Sequence, residues 1–126
     1  MFQLSERSRK NLEGVHPDLV RLVERALQLS EVDFAITEGR RDAKRQLEML
    51  AKGASQTKNS RHITGHAVDV MACGVPGDPW AWKHYEKIAA AFKKAASELC
   101  VLMVWGGDWQ TLKDGCHFEL SRKMYP

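Results

Sequence analysis

Cysteine is scarce and does not fall into pairs: Cys73, Cys100 and Cys116 are odd in number, and no CxxC occurs. That excludes a disulfide framework and a four-thiolate zinc site, and it predicts three reduced thiols. Long apolar runs are missing as well. No stretch approaches the roughly 18 consecutive apolar residues that a membrane helix needs, so no stable membrane association is expected. Residues 1–10 hold four charged side chains and no apolar segment, which argues against a tripartite secretory signal. Synthesis is then expected to finish in a cytoplasm, with other proteins supplying any route out. Internal repeats and low-complexity tracts are lacking too, which removes solenoid and disordered architectures from consideration.

What is present suits a soluble globular chain. Its 126 residues, 44% hydrophobic and 28% charged, are the size of one ordinary domain, so a single domain over residues 1–126 is expected. The net charge of +3 is too small to imply nucleic acid, and the basic residues lack interleaved aromatics. The charge is unevenly spread, however. Between Arg40 and Arg61 lie seven basic residues and two acidic ones. A solvated helix face followed by a loop would look like this, and so would a basic rim that attracts an anionic substrate.

The periodicities outline the fold. Ser5 is placed to cap a short helix running to Leu12, and Pro17 to open a second one over 17–29, whose apolar positions recur at helical spacing. Residues 33–38, DFAITE, alternate as a half-buried strand does. A helix over 42–52 ends at Gly53, and residues 53–61 have the composition of a loop. Residues 66–71 predict a strand. The longest helix is expected over 79–99, started by Asp78-Pro79, with Trp82, Ile88, Phe92 and Leu99 among its apolar positions. Short strands follow over 101–105 and 116–120. Helices first, then mostly short strands without βαβ alternation, predict an α+β domain with a small antiparallel sheet packed against helices.

Chemistry is concentrated in Ser60-Arg61-His62-Ile63-Thr64-Gly65-His66-Ala67-Val68-Asp69. Two histidines four apart suggest the zinc helix HExxH, but the second position is Ile63 rather than Glu, and Gly65 interrupts the helix. A loop histidine and a strand carboxylate, His62 and Asp69, could instead converge on one ion. A catalytic zinc usually takes three protein ligands and keeps a position for water. His16, His66, His84, His117 and the cysteines are candidates for the vacancy. His117 is the best placed, since it opens a strand three residues after Asp114, a carboxylate suited to general-base work.

The pattern resembles the zinc metallopeptidases that include D-Ala-D-Ala carboxypeptidases and dipeptidases, phage L-alanyl-D-glutamate endolysins and the Hedgehog signalling domain. Their signature is SxHxxGxAxD, followed later by an acidic residue, two residues and His. Ser60, His62, Gly65, Ala67 and Asp69 fill the first part; Asp114 and His117 fill the second. The resemblance implies a Hedgehog/D-Ala-D-Ala-peptidase-like fold and one Zn2+ per chain on His62, Asp69 and His117, with Asp114 as catalytic base. It also matches Arg41, or else Arg40, to a catalytic arginine. The segment Trp105-Gly106-Gly107-Asp108-Trp109 is similar to one in the endolysins. With Ser60, this marks Asp108 and Trp109 as candidate substrate-binding residues.

The expected activity is hydrolysis of the L-Ala–D-Glu bond of peptidoglycan stem peptides during host cell lysis. The enzyme is expected to be monomeric, to accumulate in the host cytoplasm and to reach the wall once a holin permeabilises the membrane. The rivals are a D-Ala-D-Ala carboxypeptidase or dipeptidase with the same metal and base, and a non-catalytic zinc-binding module. His66 has no assigned role in the signature, and Cys116 reads as a neighbour of the site, because a fourth protein ligand would leave no place for water.

Overall fold

The computed structural model of the protein describes residues 2–52, 61–110 and 113–126. Ser5 caps α1 (Glu6–Asn11), its hydroxyl accepting from the Ser8 amide at 3.1 Å, which satisfies one of the amides a helix start leaves open. α2 (Pro17–Leu29) opens on proline, and the His16 imidazole accepts from the Asp18 amide. Its inward face is Leu19, Leu22, Val23, Ala26 and Leu27. There follow β1 (Asp33–Glu38), α3 (Ala43–Ala51), β2 (Ala67–Cys73), α4 (Trp82–Leu99), β3 (Met103–Trp105), a 3-10 turn (Gly106–Asp108) and β4 (His117–Leu120).

The sheet has the order β1-β2-β4-β3 and every pairing is antiparallel. This is the α+β architecture that the element order predicts. Side chains alternate across a strand, and here the alternation separates a core face from an open one. Phe34, Ile36, Val68, Val70, Phe118 and Leu120 are buried. Phe92 of α4 packs on this face, its ring 4.0 Å from that of Phe118 and 5.5 Å from that of Phe34. Burying side chains of this size stabilises by about 1.5–3 kcal/mol each, so the core face decides how β2 and β4 are turned. Their intervening residues, Asp69, His117 and Glu119, are thereby committed to the other face. A register shift between Ile36 and Glu38 sets Glu38 opposite Asp69, re-aiming one more carboxylate toward the same place.

α4 begins later than its Asp78-Pro79 signal suggests. Asp78 accepts from the Trp80 amide at 2.9 Å and its carbonyl from the Ala81 amide at 3.1 Å; this turn absorbs the signal and defers the helix to Trp82. Trp82, which helical spacing assigns to the core, is instead 43% exposed.

Candidate active site

His62 lies in the turn leading into β2. Its backbone is held there by Gly65, whose φ of 78° suits glycine and whose added Cβ would come 2.4 Å from the Gly14 carbonyl. Asp69 on β2 and His117 on β4 are register partners across adjacent strands. One donor atom from each of His62, Asp69 and His117 falls within 4.8 Å of the others.

The imidazoles are oriented from behind. His62 Nδ1 lies 2.9 Å from the Gly39 carbonyl. A carbonyl only accepts, so Nδ1 carries the proton and Nε2 is left facing Asp69 Oδ2 at 3.4 Å. His117 Nε2 lies 3.0 Å from Glu119 Oε1, and its Nδ1 faces Asp69 Oδ1 at 3.3 Å. Asp69 Oδ1 is buried yet has no hydrogen-bond partner among the described residues. A carboxylate whose two oxygens each face an imidazole nitrogen, one of those oxygens buried without a hydrogen bond, fits a shared cation. Two nitrogens and one carboxylate are also a donor set suited to zinc.

Burial works to raise the Asp69 carboxyl, but the His117 and His62 rings beside it hold it well below the usual carboxylate range. For His117 burial pulls the other way, and Asp69 and Glu119 together push it up to about 9. The site therefore has the electrostatics of an anion-rich pocket that recruits positive charge.

Asp114 stands beside this cluster. Its carboxylate, that of Asp69 and the Cys116 sulfur also lie within 4.8 Å of one another. The Cys116 thiol donates to Asp114 Oδ1 at 3.0 Å; burial, with Asp69 and Asp114 nearby, pushes that thiol far up, so it stays protonated. The Asp114 backbone is seated by its amide, which donates to the Gly106 carbonyl at 3.0 Å. A Cβ on Gly106 would come 2.3 Å from the Asp114 carbonyl, so this approach needs glycine.

The other candidates separate. Trp109 packs its ring 5.0 Å from that of His117. Asp108 is exposed and pairs with Lys93 of α4 at 3.0 Å, away from the cluster's contacts. Ser60 lies outside the described residues. His66 turns aside, hydrogen-bonded to the Thr64 hydroxyl at 2.7 Å and with its ring 5.4 Å from that of His16.

The basic stretch is not a uniform rim. Arg41 is 4% exposed, with Nε 2.8 Å from Glu38 and Nη2 3.8 Å from Asp69. Arg61 is buried too, 3.7 Å from Glu119, and donates to the Leu120 and Tyr125 carbonyls. Of this stretch Arg40, Lys44 and Lys52 are exposed, and Arg40 helps line a polar cleft of about 400 Å³ with Lys10, Thr37, Glu38 and Gly39. Glu119 escaped the sequence reading. The signal for it was there: a carboxylate two residues after a strand histidine shares that histidine's face.

Two imidazoles and a carboxylate gathered on the open face of a small antiparallel sheet, with a second carboxylate alongside, have the make-up of a metal-dependent hydrolase site. The chain belongs to the phage L-alanyl-D-glutamate peptidase family, whose model matches residues 1–125, and is a peptidase of that family. The L-alanyl-D-glutamate peptidase of Escherichia phage T5 is 35% identical over 130 residues, covering 98% of this chain and 93% of that protein. That of Listeria phage A118 is 34% identical over 97 residues, which are 75% of this chain but 32% of the longer relative. The crystal structure of the Serratia marcescens L-Ala D-Glu endopeptidase ChiX superposes with a TM-score of 0.89 at 50% identity, covering 99% of this chain and 94% of that one.

Proposed function

We propose that this protein is a zinc endopeptidase that hydrolyses the L-Ala–D-Glu bond of peptidoglycan stem peptides, with one ion per chain on His62, Asp69 and His117. The observation that carries the reading is their convergence within 4.8 Å on neighbouring elements, with the carboxylate of Asp114 beside them. The names of the relatives support the choice of bond. Zinc held there would supply Lewis acidity to the scissile carbonyl and to the attacking water.

The chain's own groups do the rest. Asp114, fixed through one oxygen by the Cys116 thiol, takes the proton of the attacking water through the other and returns it to the departing amine of D-Glu. Arg41, behind Asp69, steadies that carboxylate and adds positive charge beneath the developing oxyanion. Trp109 walls the substrate side of His117. Asp108 is a rim charge, and Ser60 is carried by its motif position. Peptidoglycan as substrate implies action at the cell wall; monomeric enzyme, release from the host cytoplasm through a holin lesion and hydrolysis in the periplasm complete the proposal.

Mass spectrometry of defined muropeptides treated with and without a chelator tests it. The expected product is a peptide newly beginning at D-Glu, absent in chelator and restored by added zinc. Loss of terminal D-Ala would replace the bond assignment with a carboxypeptidase, and cleavage undiminished by chelator would remove the metal.

Glu119 and Gly39 set which nitrogen each imidazole offers. Glu119→Gln should therefore raise the zinc dissociation constant by about 10–100-fold, the usual scale for the partner of a metal-bound histidine. Competition with a fluorescent chelator measures this directly, and wild-type affinity would relieve Glu119 of that role.

A further inference from the structure

β1 is an edge strand of the sheet, and α1 covers its free side: the Ile36 amide donates to the Ser8 hydroxyl at 3.0 Å, and the Ile36 carbonyl accepts from Asn11 Nδ2 at 2.7 Å. Where both elements end they enclose the polar cleft of about 400 Å³, lined by Lys10, Glu13, Thr37, Glu38, Gly39 and Arg40 among others. Its walls are closely packed. A Cβ on Gly39 would collide with the Asn11 carbonyl, and one on Gly14 would come 2.7 Å from Arg40 Cδ, so the arginine stem lies against the turn after α1. The cleft adjoins the metal-site residues on the open face. Glu38 is the register partner of Asp69, and Arg41 bridges the two, 2.8 Å from Glu38 and 3.8 Å from Asp69. The Gly39 carbonyl faces His62 Nδ1 at 2.9 Å. Lys10, Glu13 and Arg40 are exposed and, among the described residues, stand outside every ion pair. Two cations and one carboxylate thus await a ligand that carries both signs.

We propose that Lys10 and Arg40 take the free carboxylate at the far end of the stem's third residue, a diamino-dicarboxylic acid, and that Glu13 faces the ammonium beside it. The inference rests on the bond assignment above. Beyond the scissile bond the stem continues from the γ-carboxyl of D-Glu into that residue, whose outer carbon carries one carboxylate and one ammonium. On the other side of the bond the lactyl carboxyl is consumed in the amide to L-Ala, so a cationic cleft suits the D-Glu side. Extended, the path sets the outer carboxylate up to about 14 Å from the scissile nitrogen, at ~1.25 Å of reach per bond. Two strand spacings, about 10 Å, lead from β2, which carries Asp69, across β1 to the side that α1 covers. The α-carboxylate of D-Glu, attached next to the scissile nitrogen, cannot make that crossing. An arginine fork matches a carboxylate through two parallel N–H donations, and a lysine adds a point charge. Glu38 does not compete for Arg40, because Arg41 engages its carboxylate. A stem with lysine in third place keeps the ammonium and lacks the carboxylate, so this cleft discriminates between the two wall chemistries.

The test measures kinetics of the zinc-loaded enzyme on two stems that differ only in that carboxylate, L-Ala-γ-D-Glu-meso-diaminopimelate and L-Ala-γ-D-Glu-L-lysine. Wild type should favour the first by about tenfold in kcat/KM, the scale of one charge-assisted contact. Lys10→Gln and Arg40→Gln should each lose most of that preference, the loss falling on KM for the diaminopimelate stem, and Arg40→Lys should keep part of it. Glu13→Gln should weaken the stem with a free outer ammonium more than one N-acetylated there; equal effects would take Glu13 out of the subsite. If Arg40→Gln does not fold, the exposed Lys10→Gln carries the comparison. Equal rates of wild type on both stems, or equal losses of the variants on both, would overturn the proposal. So would a preference for D-Glu over D-isoglutamine that Lys10→Gln and Arg40→Gln abolish, since the carboxylate bound would then belong to the second residue. Cleavage of both stems at another bond would instead overturn the bond assignment. Calorimetric titration with the γ-D-Glu-meso-diaminopimelate and γ-D-Glu-L-lysine dipeptides would still decide the subsite: tighter binding of the first by wild type but not by Lys10→Gln upholds it, and equal affinity overturns it.

Discussion

Asp114→Asn should keep its zinc and lose hydrolysis by about 10²–10⁴-fold, the usual contribution of a positioned general base. The substitution preserves the shape of the side chain and an oxygen for the Cys116 thiol, whose donation at 3.0 Å fixes the carboxylate. The amide to Gly106 that seats the backbone is untouched. What is removed is the capacity to accept a proton. Metal analysis of the purified variant beside its turnover number separates the two effects, since the proposed ion sits on His62, Asp69 and His117 and Asp114 is proposed only as the base. Wild-type turnover in a zinc-loaded Asp114→Asn would take Asp114 out of the mechanism, and loss of zinc would make it a ligand.

The second large effect concerns the ligands themselves. His62→Ala, Asp69→Ala and His117→Ala should each abolish stoichiometric zinc, whereas His66→Ala should retain it. Spacing alone pairs His62 with His66, but the His66 ring is turned to Thr64 and His16 on the far side of the turn. Thermal unfolding with and without added zinc gives a reading independent of activity. A ligand that binds only the folded state stabilises it by about 2.7 kcal/mol at a hundred times its dissociation constant. Wild type and His66→Ala should therefore melt higher in zinc, and the three ligand variants should not. Equal loss in all four would undo the assignment.

Much of this could be read from the chain. α2 runs from Pro17 to Leu29 and β1 from Asp33 to Glu38 as the sequence predicts, because proline, apolar spacing and strand alternation are local signals that tertiary packing here reinforces. The gathering of His62, Asp69 and His117 was legible because metal chemistry restricts residue type at fixed spacing. Two readings failed, for different reasons. Arg61 looks like a member of a cationic run, yet it is buried against Glu119, 58 positions away. Trp82 fits the apolar stripe of α4, but the turn at Asp78 shifts the helix start and leaves its indole at the margin. No local pattern encodes the pairing of Arg61 with Glu119.

The facing of Asp69 and His117 across two neighbouring strands carries one more implication. Sliding β4 by a single residue against β2 would turn His117 inward and bring the wholly buried Phe118 to the open face. Only the native alignment assembles all three donors, so an ion that needs three would bind that alignment and none of its slipped neighbours. Metal capture at these residues would then favour the native strand alignment over its slipped neighbours.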